Sequence, residues 1–308
     1  MIKKILLFSF LIVFIPFIIV TIFIRNDEIT FNFSSNSVVR VYRESTKVID
    51  EVPIEEYVVG VVSGEMPIEF ELEALKAQAV AARSYVMIQI ERNINNEYDV
   101  VDSVTNQVYL DKSNLITAWK ESYTDNINKV KMAVLSTKGE YISYNGKVAE
   151  ALFFSTSPGK TENSEDIFTN KVSYLRSVDS HWDEISPVYT SNTTYTLSEF
   201  YNLLDLDYNE ALNIELLETT STGRIKKIKI NNKEFTGNYI CSKLSLRSTY
   251  FEIIKEDTKI IIKNKGYGHG VGMSQYGAQG MAKEGYTYQD ILKHYYTDIE
   301  IKKFYKIV

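Results

Sequence analysis

The chain has 308 residues, a formal net charge of −6 and a single cysteine, Cys241. Such an acidic balance argues against a nucleic-acid footprint, which would be basic, and one cysteine permits neither an internal disulfide nor a Cys-rich zinc site. The length suits one sizeable core or two small lobes, held by packing alone.

Residues 5–24 carry no charge, with Lys3 and Lys4 before them and Arg25 after. A run of about 20 apolar residues is long enough to cross a bilayer, and no small-x-small cleavage site follows it. The sequence therefore predicts an uncleaved signal anchor over residues 1–25, its tip cytoplasmic, a polar spacer over 26–36, and an extracytoplasmic domain over 37–308. "VVRVYRE" (38–44) and "KVIDEVPIEEYVVGVVSG" (47–64) read as β structure, with room for a short helical turn at Glu55-Glu56-Tyr57. "EFELEALKAQAVAARSYVMIQIERN" (69–93) lacks Gly and Pro and has an acidic first turn, which predicts a helix. A second helical region spans 113–139 and ends at Gly139. Asn145-Gly146 between alternating runs predicts a hairpin over 140–156, and Asn231-Asn232 another over 224–240. Residues 157–168 are polar and turn-rich, so a loop. Residues 250–272 give strand, turn, strand and a glycine-rich loop, followed by two short helices and a closing strand. The mixed order indicates an α+β fold in one exported domain, with room for two lobes and a groove between them. The aromatic content, 22 Tyr, 15 Phe and 2 Trp, fits half-exposed packing better than a dedicated sugar-stacking surface.

Three stretches are candidates for chemistry. In "GYGHGVGMSQYG" (266–277) glycines recur at alternate positions, which fails both the dinucleotide and P-loop spacings and implies positive φ or close backbone approach. His269, between two glycines, is expected to be accessible. "FFSTSPGKTENSEDIF" (153–168) offers Ser155, Lys160, Thr161 and Glu162 but no G-x-S-x-G elbow. Glu65 in "SGEMP" stands between the β-like run and the long helix, with no second acid within three residues. Held by Pro67 among Met66 and aliphatic residues, it is placed to have a raised pKa and act as an acid.

Taken together, "EEYVVGVVSGEMPIEFELEALKAQAVAARSYV", "FFSTSPGKTENSEDIF" followed by "YLRSVDS", "LRSTYF" and "GYGHGVGMSQYGAQGMA" resemble the stage II sporulation protein D family, from about Val38 to the C-terminus. The resemblance implies a membrane-anchored lytic transglycosylase that cleaves peptide-stripped peptidoglycan glycan strands during forespore engulfment. It would sit in the mother-cell membrane, with the catalytic domain facing the forespore. Its implied partners are the amidase, stage II sporulation protein P, and the recruiting stage II sporulation protein M. The family's catalytic glutamate falls on Glu65. Along the glycan groove the reading places Ser155, Lys160, Thr161, Glu162, His269, Gln275 and Tyr276, with Arg83 and Tyr85 orienting Glu65. A glycan-binding amidase activator without catalysis and a muramidase-type hydrolase are the alternatives.

Three departures from the family pattern stand out. Relatives often read Ser-Glu-Met-Pro, whereas Gly64 precedes Glu65 here. The arginine that relatives often carry near Cys241 is missing. Some clostridial relatives bind zinc through a His/Cys cluster, but "DSVTNQVYLDK" (102–112) has neither residue, and His181, His269 and His294 are scattered, so no zinc and no other cofactor is expected.

Overall fold

The computed structural model describes Glu28 and residues 37–304. The expected anchor lies outside these residues, and no helix among them is long and apolar enough to cross a membrane. Of the expected spacer only Glu28 is described; its carboxylate lies 2.9 Å from Lys112 Nζ and 2.7 Å from Lys131 Nζ.

The fold is α+β with two hydrophobic cores. In chain order its helices are α1 (Ile54–Glu65), α2 (Leu72–Arg92), α3 (Lys112–Trp119), α4 (Tyr123–Ser136), α5 (Ser164–Ile167), α6 (Leu197–Leu203), α7 (Gly237–Lys243), α8 (Gln275–Lys283) and α9 (Tyr288–Tyr295). The larger core gathers the buried faces of α1, α2, α4, α8 and α9. Strands Val48–Pro53, Val38–Arg43 and Val100–Val101 form one small sheet, and Glu300–Lys303, Glu140–Tyr144 and Lys147–Val148 another. The smaller core, centred on Phe200, Leu204, Ile228 and Ile260, lies between the strands of an inserted unit spanning about 190–265. That unit carries two three-stranded sheets, in the orders 251–256/259–265/190–196 and 233–236/225–230/214–219.

Both predicted hairpin turns are present. Asn145 and Gly146 have φ of 50° and 79°, and Asn231 has φ of 52°, the left-handed values such turns demand. The β expectation for 47–64 is corrected in its second half. The strand ends at Pro53, and Ile54–Glu65 is helix. Its valines favour strands locally, but Pro53 opens the helix, and Glu55 and Glu56 sit in its first turn. Ile54, Tyr57, Val58, Val61 and Val62 are wholly buried, so packing on every side overrides a propensity worth only about 0.5 kcal/mol per residue. Helix α2 starts three residues later than predicted, because Phe70 N–H bonds back to the Pro67 carbonyl (3.1 Å) and closes a turn first. The predicted second helical region is broken at Lys120 into α3, a 3₁₀ turn and α4.

Candidate active site

Glu65 is the last residue of α1, and not, as the sequence suggested, a linker between strand and helix. A carboxylate at a helix C-terminus faces the negative end of the helix dipole, the opposite of the favourable N-terminal placement. The segment 107–110 lies directly against α1. Val108 N–H donates to Glu65 Oε1 at 2.7 Å, and Leu110 N–H donates to the Gly60 carbonyl at 3.3 Å. This approach requires glycine at both positions. A Cβ on Gly60 would stand 2.4 Å from the Tyr109 ring, and one on Gly64 would stand 2.6 Å from the Val108 carbonyl oxygen. Gly64, the departure from the family pattern, thus lets the strand-like strap reach the acid.

The second oxygen of Glu65 faces Gln275 Nε2 at 3.4 Å, a long contact from the first residue of α8. Ser274 caps this helix through Gly277 N–H, and its hydroxyl donates to the buried Asp183. Asp183 also accepts from Ser157 and Ser180 hydroxyls and from Ser157 N–H. Burial pushes the Glu65 carboxyl above the ordinary carboxylate value, against the opposing donations from Val108 and Gln275. No cation contacts Glu65 among the described residues. Glu65 is among the residues that line a cleft of about 630 Å³, bounded by residues 63–69 on one side and by Ala118, Trp119, Ser122 and Asn126 on the other; the two donors to its carboxylate, Val108 and Gln275, stand outside that lining. Glu69 on the rim is the one other ionisable group in that lining. The cleft therefore lies within the larger core's unit, between the end of α1 and the α3–α4 wall, and not between the two cores.

Among the sequence-predicted site residues, the structure brings Gln275 to Glu65 and sets the others elsewhere. Tyr276 is half-buried, its ring edge-on to Phe70 at 5.0 Å, and its N–H bonds the Ser155 carbonyl. Ser155 serves α8 by the same carbonyl, which also accepts from Ser274. Arg83, expected to orient Glu65, is corrected: it is wholly buried and forks onto Glu55 at 3.0 and 2.6 Å, at the opposite end of α1. Tyr85 likewise does not reach the acid. Its hydroxyl accepts from Asn106 Nδ2 (3.0 Å), at the start of the strap that carries Val108.

Lys160 is exposed and bridges Asp179 through the backbone, and Thr161 is buried, its hydroxyl bound to the Arg176 carbonyl and Val178 N–H. Glu162 and His269 join the two cores instead of lining the cleft. Glu162 is wholly buried, accepts from Thr222, and lies 3.2 Å from Arg224 Nε, within ion-pair reach but without hydrogen-bond geometry. Arg224 Nη1 also donates to the Gly268 carbonyl. His269 is half-buried, so the expected accessibility is only partial, because its glycine neighbours also admit other chain segments. Its ring packs 5.6 Å from both Phe154 and Phe168, and Nδ1 accepts from Val271 N–H. Burial, with the Arg224 charge, pushes its pKa down to about 4. The alternate glycines act by close approach: a Cβ on Gly272, at φ 83°, would fall 2.1 Å from the Leu152 carbonyl.

Sequence reasoning missed Val108, Trp119 and Asn126. The Gly60-x-x-x-Gly64 spacing was the available signal for a strap on α1, but it was concealed by reading that stretch as strand. No group of His, Cys, Asp or Glu with metal-holding geometry occurs among the described residues.

A half-buried acid with a raised pKa, no cation contact among the described residues and a place in the lining of an open polar cleft has the chemistry to hold a proton near a bound ligand. Residues 42–144 match the family described as Stage II sporulation protein. The chain is 42% identical over 270 residues to stage II sporulation protein D of Bacillus amyloliquefaciens, covering 86% of this chain and 78% of that one. It is also 42% identical over 269 residues to the protein of that name from Bacillus subtilis (strain 168), covering 85% and 78%. An amidase enhancer of Bacillus subtilis (strain 168) is 30% identical over 296 residues, covering 77% of this chain and 39% of that protein. The chain belongs to the stage II sporulation protein D family.

Proposed function

We propose that this chain is a lytic transglycosylase that cuts MurNAc–GlcNAc bonds in peptide-stripped peptidoglycan and leaves 1,6-anhydro-MurNAc ends. The observation that carries this reading is Glu65 itself, its pKa raised by burial, without a cation contact among the described residues and in the lining of the cleft. Protonated Glu65 gives its proton to the glycosidic oxygen as the C1–O bond breaks. The resulting carboxylate takes the proton from the MurNAc C6 hydroxyl, whose oxygen closes on C1. The acid is regenerated and no water is consumed, so one carboxylate serves both steps, whereas hydrolytic glycosidases use two. Val108 N–H and the Gln275 amide hold the carboxylate in place through both steps.

In this reading the domain acts from the extracytoplasmic side of the mother-cell membrane during engulfment. It works beside stage II sporulation proteins P and M, on glycan that the amidase has stripped. The test is digestion of peptide-free glycan strands with product analysis by mass spectrometry. Anhydro ends are expected, and Glu65→Gln should lower the rate at least about 100-fold, the usual worth of a positioned general acid. Reducing MurNAc ends instead would point to a hydrolase, for which Glu69 on the same cleft offers a second carboxylate. Likeness to the amidase enhancer favours a second reading, a wall-binding activator. It predicts amidase stimulation insensitive to Glu65→Gln.

A further inference from the structure

The cleft beside Glu65 has a wall whose features the acid does not explain. Trp119, half-exposed, ends α3 and lines the cleft with Ser122 and Asn126. Tyr123 backs the indole at 6.4 Å. Between Trp119 and Ser122 stands Lys120, with φ 48° and ψ −120°, a region costly for any residue bearing a side chain. Residues 112–136 contain neither Gly nor Pro, so the local sequence does not call for a break there. The strained residue sits among the cleft-lining ones, where strain held by surrounding structure is most often found. Across the cleft, Ser63 is in the lining, while its hydroxyl oxygen is closed to solvent and has no hydrogen-bond partner. Wall and floor are fixed to each other, because Lys129 Nζ from α4 donates to the Ile68 carbonyl at 2.7 Å. The lining holds two carboxylates and no cation, so it suits a neutral polar ligand and disfavours an anion.

We propose that this wall is a sugar-ring subsite, in which Trp119 stacks on the face of an N-acetylhexosamine while the Asn126 amide hydrogen-bonds its polar groups. The proposal rests on the glycan-cleaving reading and names the residues that hold the ring next to the acid. An indole offers a flat apolar face to the axial C–H side of a pyranose, and a few convergent polar groups then fix orientation. The acetamido group is the part that a plain hexose lacks. Its amide matches Asn126, and its methyl matches the apolar Ala118 and Ile68 in the same lining.

The chain has only two tryptophans, and Trp182 lies outside this lining, packed on Gly280 of α8. Trp182→Phe in a Glu65→Gln background therefore makes Trp119 the sole indole of an uncleaving full-length chain. Chitotriose should change its emission along the same isotherm that calorimetry gives. Cellotriose, which lacks acetamido groups, should bind about tenfold more weakly. Trp119→Ala should weaken chitotriose about tenfold or more while Trp119→Phe retains most affinity, with thermal unfolding checked for each. Asn126→Ala should narrow the gap between the two sugars. Calorimetric binding with a silent indole, or affinity unchanged in Trp119→Ala, overturns the subsite and leaves the wider reading standing. No binding of chitotriose or of peptide-free glycan overturns both.

Discussion

Two glutamates in this molecule share a physical state and differ in consequence. Burial raises the carboxyl pKa of both Glu65 and Glu162. Glu162 is wholly closed to solvent, flanked by Arg224 and Thr222, and it sits where the inserted unit meets the glycine-rich loop. Glu65 has no cation beside it among the described residues, is half-buried in the lining of a cleft, and is held by an amide N–H and a side-chain amide. Desolvation alone therefore does not mark a chemical site. A buried carboxylate with a cation and no path to ligand holds structure together, whereas one with neutral donors and an open face can exchange a proton with something bound.

The sharpest way to break this comparison is at Arg224. Its guanidinium is pushed down and the Glu162 carboxyl up, both by loss of water, which their mutual attraction only partly offsets. Arg224→Met leaves Glu162 buried without its cation and should cost about 3–5 kcal/mol in urea or thermal unfolding. Glu162→Gln together with Arg224→Met should recover most of that loss, since the double change removes both charges. Glycan cleavage by the protein that remains folded should be unchanged. Loss of cleavage by well-folded Arg224→Met would place the pair in the chemistry and erase the distinction drawn above.

The second contrast is in stability against pH. A carboxyl whose folded pKa is raised costs nothing below its unfolded value near 4.5, and the cost grows as pH rises toward the folded pKa. Glu65→Gln removes that cost, since the amide oxygen still accepts from Val108. The variant should thus be more stable than the parent at pH 7 and equal to it near pH 4. The gain should stay below about 1 kcal/mol, because Glu65 is half-buried and partly screened. Equal stability at both pH values would mean that Glu65 ionises without strain.

What was legible in the sequence divides along local and non-local lines. Asn145-Gly146 and Asn231-Asn232 announced their turns because positive φ is a local demand, and the long Ala-rich helix was announced by its own composition. Helix α1 was not, since its valines prefer strands and only burial on all sides makes it helical. The same holds in the site. Glu65 was identified by its isolation beside Pro67 and by its motif. Its hydrogen-bond donor, Val108, comes from 43 positions away as a backbone amide, which has no side-chain signature. Glu162 was placed in the groove for its polarity and His269 for its glycine neighbours, both alongside the family resemblance, and such residues can equally serve a junction between two cores.

The finest test concerns Gln275, the one groove residue from the sequence reading that reaches the acid. Its amide donates toward the carboxylate form of Glu65, which lowers the pKa against the larger effect of burial. A general acid must be protonated to act, so cleavage should fall as pH rises through the Glu65 pKa, above the ordinary 4.5. Gln275→Leu removes a donor to the charged form, so the proton is held to higher pH and the alkaline limb should move upward. On the acid plateau the rate should change by less than about threefold, because one long hydrogen bond is worth only about 0.5 kcal/mol. A limb that stays in place would mean that Gln275 touches substrate and not the acid. A limb that moves downward would mean that opening the site to water outweighs the lost donor, so that burial at Glu65 depends on Gln275 as a lid over the carboxylate.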